Sequence, residues 1–166
     1  MTTFDNTLGH IHDALPLTTL LIAVTTPAAT TTTPATLTTK SLVFQHHRPK
    51  FWARYLDDTF VVIEWDQVLT FKEHLNAVFL EIQFTMEEEE NNQLAFLDVL
   101  VCRKDCGGLK SKVFRKATNT MQVLNFNSNH PISHKRSCVK TFYRRVESHC
   151  SEPKDKIAEL QYLRCS

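Results

Sequence analysis

Glycine is nearly absent from this chain, with three residues in 166. That scarcity excludes a phosphate-cradling glycine-rich loop and a dinucleotide fingerprint, both of which need several glycines close together so that backbone can approach phosphate. Long apolar runs are missing too. The best candidate, Leu15 to Ala29, is broken by threonines and prolines and falls short of the roughly 20 apolar residues of a membrane-spanning helix. No membrane partner is therefore expected. No nucleophile, base and orienting group stand together. The five cysteines are odd in number and follow no basic-then-apolar leader. Free thiols in a reducing intracellular setting, nuclear or cytoplasmic, are the expectation.

What is present is enough apolar material, 42% of the residues, for one domain of ordinary size and a small appendage. The net charge of +1 conceals a division along the chain. Residues 51–101 carry two basic and eleven acidic side chains (2 − 11 = −9), whereas residues 102–150 carry eleven basic and two acidic ones (11 − 2 = +9). Such asymmetry suits a protein that handles cations in one place and phosphates in another. The run Glu87-Glu88-Glu89-Glu90 reads more simply as a solvated strand end and loop.

Three segments emerge from composition and period. Residues 1–43 are low in complexity; half of the positions from Thr18 to Thr39 are threonine, and a largely disordered segment, unrelated in origin to the remainder of the chain, is expected. Residues 44–117 are patterned. Phe51 to Leu56 and Thr59 to Trp65 are apolar at odd and even positions alike, which predicts strands covered on both faces. Asp66 is a candidate N-cap for a helix whose apolar stripe is Val68, Phe71, Leu75, Val78 and Phe79. Ile82 to Glu88 alternates as a strand, Leu94 to Cys102 runs back after Asn91-Asn92, and Asp105-Cys106-Gly107-Gly108 turns into a third strand, Leu109 to Arg115. Residues 118–166 are helical and basic. One helix is expected within Ser128 to Cys150, with Val139, Phe142, Tyr143 and Val146 as its apolar side, and another from Pro153 to Arg164, with Ile157, Leu160 and Leu163 inward. The fold class is α+β: antiparallel strands with a packing helix, then a small helical region.

Three constellations carry chemistry. The first is Asp57-Asp58, set between two apolar strands. Adjacent carboxylates in low dielectric repel, and a bound cation such as Mg²⁺ relieves them; the same pair also makes an ordinary tight surface turn. The second is basic. Lys110, Lys112 and Lys116 share one parity of the third strand, and Arg136, Lys140 and Arg144 recur at i, i+4 and i+8 on a helix. Such strips neutralise phosphates without reading sequence, or simply face solvent. The third is the pair of spacings Cys102-x₃-Cys106 and His130-x₃-His134, which are zinc-like but separated by 23 residues. That separation is longer than the roughly 12 residues between the ligand pairs of C₂H₂ fingers.

The run His47-Arg48-Pro49-Lys50-Phe51-Trp52-Ala53-Arg54-Tyr55-Leu56-Asp57-Asp58-Thr59-Phe60 is followed in order by Phe96-Leu97-Asp98-Val99, Val113-Phe114-Arg115-Lys116 and Asn127-Ser128-Asn129-His130-Pro131-Ile132-Ser133-His134-Lys135. That series resembles the reverse transcriptases of Penelope-like retroelements, over about residues 44 to 150, with Tyr55 to Asp58 as the Tyr-x-Asp-Asp box. The resemblance implies a partial polymerase palm over 44–117 and a thumb-like or helix-turn-helix region over 118–166. It implies Asp57 and Asp58 as catalytic Mg²⁺ ligands, Tyr55 near the primer end, and RNA template and DNA primer as partners. Nucleotidyl transfer there uses two metal ions. A third aspartate from an earlier palm strand is normally required, and Asp5 and Asp13 stand in no such context. Two readings result: a fragment of an RNA-directed DNA polymerase, inactive alone because the other palm motifs are missing, or a non-catalytic helix-turn-helix module that binds nucleic acid.

Overall fold

The structure, a computed structural model, describes residues 19–25, 46–55, 58–78, 84–116, 125 and 127–165. In chain order the elements are β1 (Thr19–Thr25), β2 (Phe51–Tyr55), β3 (Asp58–Glu64), a 3-10 turn (Trp65–Gln67), α1 (Val68–Val78), β4 (Thr85–Glu88), β5 (Gln93–Phe96), β6 (Val99–Arg103), β7 (Leu109–Val113), α2 (Ile132–His149) and α3 (Pro153–Cys165). Two antiparallel sheets result, one ordered β2-β3-β1-β4 and the other β5-β6-β7. The class is α+β.

β3 shows why its sequence is apolar at nearly every position. Phe60 and Val62 point into a core shared with Leu94, Phe96, Val99, Val101 and Leu109 of the second sheet. Val61 and Ile63 point the other way, onto Val68, Phe71 and Leu75 of α1, with Trp52, Phe84 and Met86 at the margin. The first sheet is thus sandwiched between a helix and a second sheet, and alternation would leave one face unfilled. The expected helical stripe is seen at Val68, Phe71 and Leu75; the side chain of Val78 and all of Phe79 lie outside the described residues. Asp66 does not cap α1. It sits inside the 3-10 turn, and the α-helix begins at Val68.

Part of the segment expected to be disordered is folded. β1 lies inside the first sheet, paired on one side with β3 (Thr19↔Glu64 to Thr25↔Asp58) and on the other with β4. Leu20, Leu21, Ile22, Ala23 and Val24 are all buried. Threonine-rich flanks hid a short apolar run that supplies both faces of a strand at once. Burial of such side chains is worth on the order of 1.5–3 kcal/mol each, enough to offset the ordering of a short strand. The rest of residues 1–43 lies outside the described residues.

The second sheet corrects two boundaries. Leu94 to Cys102 is not one strand but a hairpin, β5 and β6, closed by Leu97-Asp98 between paired Phe96 and Val99. Leu97 holds φ 56°, a conformation that favours glycine, so the sequence pattern carried no turn signal there. The turn is held from outside, because Phe114 N–H donates to Asp98 O at 2.8 Å and Arg145 of α2 forms an ion pair with the Asp98 carboxylate. β7 ends at Val113, so Lys116 lies beyond the strand whose parity it was expected to share. Asn91 and Asn92, at φ 52° and 60°, make the tight turn expected of them.

Arg103 locks the sheets together. Its side chain is 4% exposed, donates to Thr19 O at 2.9 Å, and pairs with Glu89 at 3.0 Å. Glu89 is therefore not a solvated member of the glutamate run, whereas Glu87, Glu88 and Glu90 are exposed. The helical pair docks on the edge of the second sheet. Ser151, in the short link between α2 and α3, exchanges hydrogen bonds with Ser111 of β7, its N–H reaching Ser111 O at 3.0 Å and its Oγ accepting from Ser111 N–H at 3.0 Å.

Candidate nucleic-acid interface and the acidic hairpin

The β2–β3 hairpin pairs Tyr55 with Asp58 across its end. Leu56 and Asp57 lie outside the described residues. Asp58 is already the first residue of β3 rather than a turn residue, and Tyr55 is 38% exposed beside it. The strand on the other flank of β3 brings Thr25 opposite Asp58, and Thr25 Oγ1 donates to Asp58 Oδ1 at 2.9 Å. A hydroxyl thus takes up one carboxylate oxygen. Mg²⁺ asks for near-octahedral oxygen coordination with carboxylate support, and the described residues offer only Asp58. Among the described residues no group of three or more His, Cys, Asp or Glu side chains could hold a metal ion. Among the described residues the donor set does not amount to a two-metal centre. The zinc-like pairs do not converge either: Cys102 is buried, whereas Cys106, His130 and His134 are exposed.

The basic half is different. Of its eleven cations, five are engaged. Arg103 pairs with Glu89, Lys104 with Glu152 at 2.7 Å, Arg115 with Glu159, Arg145 with Asp98, and Lys135 Nζ donates to Ser128 O at 2.6 Å. The six that remain are Lys110, Lys112, Lys116, Arg136, Lys140 and Arg144. None has a hydrogen-bond or ion-pair partner among the described residues. The five engaged cations hold the sheets and helices together, and the six others make no direct ion pair among the described residues.

The geometry of α2 explains the division. Val146 and His149 are buried against the second sheet, with Cys138 and Phe142 half-buried on the same side. Arg136, Lys140 and Arg144 are exposed. Val139 and Tyr143, expected in the apolar stripe, instead stand outward at 47% and 45% exposure, with Ile132 at 62%. Ile157 of α3 is likewise exposed. Glu147, the one acid on α2, is neutralised by Lys156 at 2.7 Å. The outward face is therefore cationic with apolar side chains beside the charges.

α3 is committed to docking at its centre. Arg115 forms a two-pronged contact with Glu159 and lies 4.1 Å over the Tyr162 ring. The Glu159 carboxylate raises the Arg115 guanidinium above its ordinary range, and the charge-assisted pair resists separation. Burial pushes the Cys102 and Cys150 thiols up, so neither is a reactive thiolate. Lys110 and Lys112 lie within electrostatic reach of Cys102 across the β6–β7 pair. One group had no sequence signal: His46, His47 and His74 gather where residues 46–50 meet α1. His47 Nε2 and His74 Nδ1 are 2.7 Å apart.

Two helices packed on each other, joined by a three-residue link and docked on a sheet edge, define a helix-turn-helix arrangement at the C-terminus. Residues 122–165 match the family described as the animal helix-turn-helix domain. No curated protein and no solved structure matches the chain. Among the described residues no helix is long and apolar enough to cross a membrane.

Proposed function

We propose that this chain binds nucleic acid through the outward face of α2, extended by Lys110, Lys112 and Lys116, without polymerase activity of its own. The carrying observation is the division of cations in residues 102–150. Those that build the fold are paired, and the six that remain have no ion-pair or hydrogen-bond partner among the described residues, which in a folded protein is a standing attraction for a polyanion. The helix-turn-helix match over the same helices supports the reading. The resemblance to Penelope-like reverse transcriptases supplies its ancestry: the β2–β3 hairpin is read as a palm remnant, and primer-template is the nucleic acid such a protein would meet.

The polymerase reading of Asp57, Asp58 and Tyr55 is the second one. It is favoured by the placement of an exposed tyrosine beside Asp58 at the end of a hairpin whose β3 strand, unlike the edge strand β2, is covered on both faces. Against it stands Thr25, whose neutral hydroxyl takes up Asp58 Oδ1 from the neighbouring strand. Fluorescence anisotropy of the full chain with primer-template tests the proposal. Binding should weaken as salt rises, and Arg136→Gln, Lys140→Gln and Arg144→Gln should each reduce the salt slope by about 0.7–0.9 for every phosphate that is no longer neutralised. Unchanged binding in the triple variant would remove α2 as the contact.

A further inference from the structure

We infer that the outward face of α2 takes a single-stranded polynucleotide, with the Tyr143 ring as a base-stacking platform set among phosphate-binding cations. This rests on the nucleic-acid reading above and adds the class of strand. Three observations carry it. First, the face is not uniformly polar: Ile132, Val139 and Tyr143 are 62%, 47% and 45% exposed, beside Arg136, Lys140 and Arg144. An intact duplex offers phosphates, sugars and groove edges but keeps its base faces stacked inside, so an exposed ring on a duplex-binding face finds no base face to stack on. An unpaired strand offers both groups, phosphates for the cations and base faces for the ring.

Second, the cations recur every four residues, about 6 Å along the helix axis, a spacing on the scale of one nucleotide in an extended strand. Tyr143 lies between Lys140 and Arg144 in sequence, one helical turn from Val139 and next to Arg144. A base stacked on its ring would leave the flanking phosphates within reach of both cations. Third, the helix that ordinarily enters a duplex groove is the second of the pair. Here α3 commits Lys156, Glu159 and Tyr162 to contacts with α2 and Arg115. The longer first helix is the one with an open cationic face. Stacking is also tolerant of sequence, because every base has a π-face, which fits a surface with phosphate-binding groups and no array of side chains aimed at base edges.

The full chain is titrated into labelled oligo(dT), oligo(U) and a mixed duplex of the same length, at several salt concentrations. Either single strand should bind more tightly than duplex. Tyr143→Leu, which keeps an exposed apolar side chain, should weaken single-strand binding by about five-fold or more while leaving the salt slope unchanged, and Tyr143→Phe should restore it. Duplex binding as tight as single-strand binding, or Tyr143→Leu binding like the parent chain, overturns the single-strand assignment while the salt-dependent contact stands. Absence of salt dependence in the parent chain, or a triple Arg136, Lys140, Arg144 variant that binds normally, removes the contact itself.

Discussion

Thr25 Oγ1 donates a 2.9 Å hydrogen bond to Asp58 Oδ1 across the β1–β3 pair. At the end of the β1–β3 ladder that bond ties β1 to the acidic hairpin and occupies one Asp58 carboxylate oxygen with a neutral hydroxyl. Thermal unfolding should accordingly be insensitive to millimolar Mg²⁺ beyond an ionic-strength control. Template-directed incorporation by the purified chain should stay at background, with or without Asp57→Asn. Thr25→Val should cost about 0.5–1.5 kcal/mol in urea denaturation, the worth of one ordinary hydrogen bond.

β1 is integral to the fold. Leu21 and Ile22 are fully buried on opposite faces of the first sheet, one in the inter-sheet core and the other beneath α1. Each of Leu21→Ala and Ile22→Ala should therefore destabilise by about 2–5 kcal/mol. Denaturant midpoints unchanged by both substitutions would show that residues 19–25 do not belong to the cooperative unit.

Arg103 and Glu89 form an ion pair with side chains 4% and 11% exposed. Removing one partner leaves a buried charge, so Arg103→Leu should cost about 3–5 kcal/mol. A double replacement by apolar residues should recover much of that stability, and the double-mutant cycle reads the coupling.

His47 is held below the ordinary histidine range by burial first, then by His74 and His46; hydrogen bonds with the Gln67 side chain and the Thr70 backbone act in the opposite direction. The unfolded chain then binds more protons than the folded one once pH falls through about 6.5. This contribution to stability is complete above that pH and is lost progressively as pH drops toward the lowered folded value. Unfolding free energies measured between about pH 8 and pH 5 should show the decline, and His47→Gln should flatten it.

Burial raises both the Cys102 and the Cys150 thiol, whereas Cys106 is exposed on its turn. Alkylation under native conditions should modify Cys106 before Cys102 and Cys150, which should react only on unfolding. Peptide mapping after a short iodoacetamide pulse reads the order.

The sequence disclosed elements wherever period or punctuation was local. The apolar continuity of Thr59 to Trp65 announced a strand covered twice, Asn91-Asn92 and Gly107-Gly108 announced turns, and Pro153 announced the start of α3. It also singled out the six cations that stand without a partner among the described residues. It did not disclose the Leu97-Asp98 turn, because Leu97 adopts a left-handed conformation in a turn held by Arg145 and Phe114 from elsewhere in the chain. Nor did it place Val139 and Tyr143 outside, since the helical period allows an apolar stripe wider than the surface that receives it.

By itself, then, the sequence determined the class of fold, the charge division and the basic helical repeat, all of which are set by neighbours along the chain. Only the tertiary structure decided which cations were consumed by packing, that a threonine-flanked strand completes the first sheet, and that Thr25 faces Asp58. Those outcomes depend on residues tens of positions apart meeting across strands, and burial selects among such pairings in ways that no local pattern records.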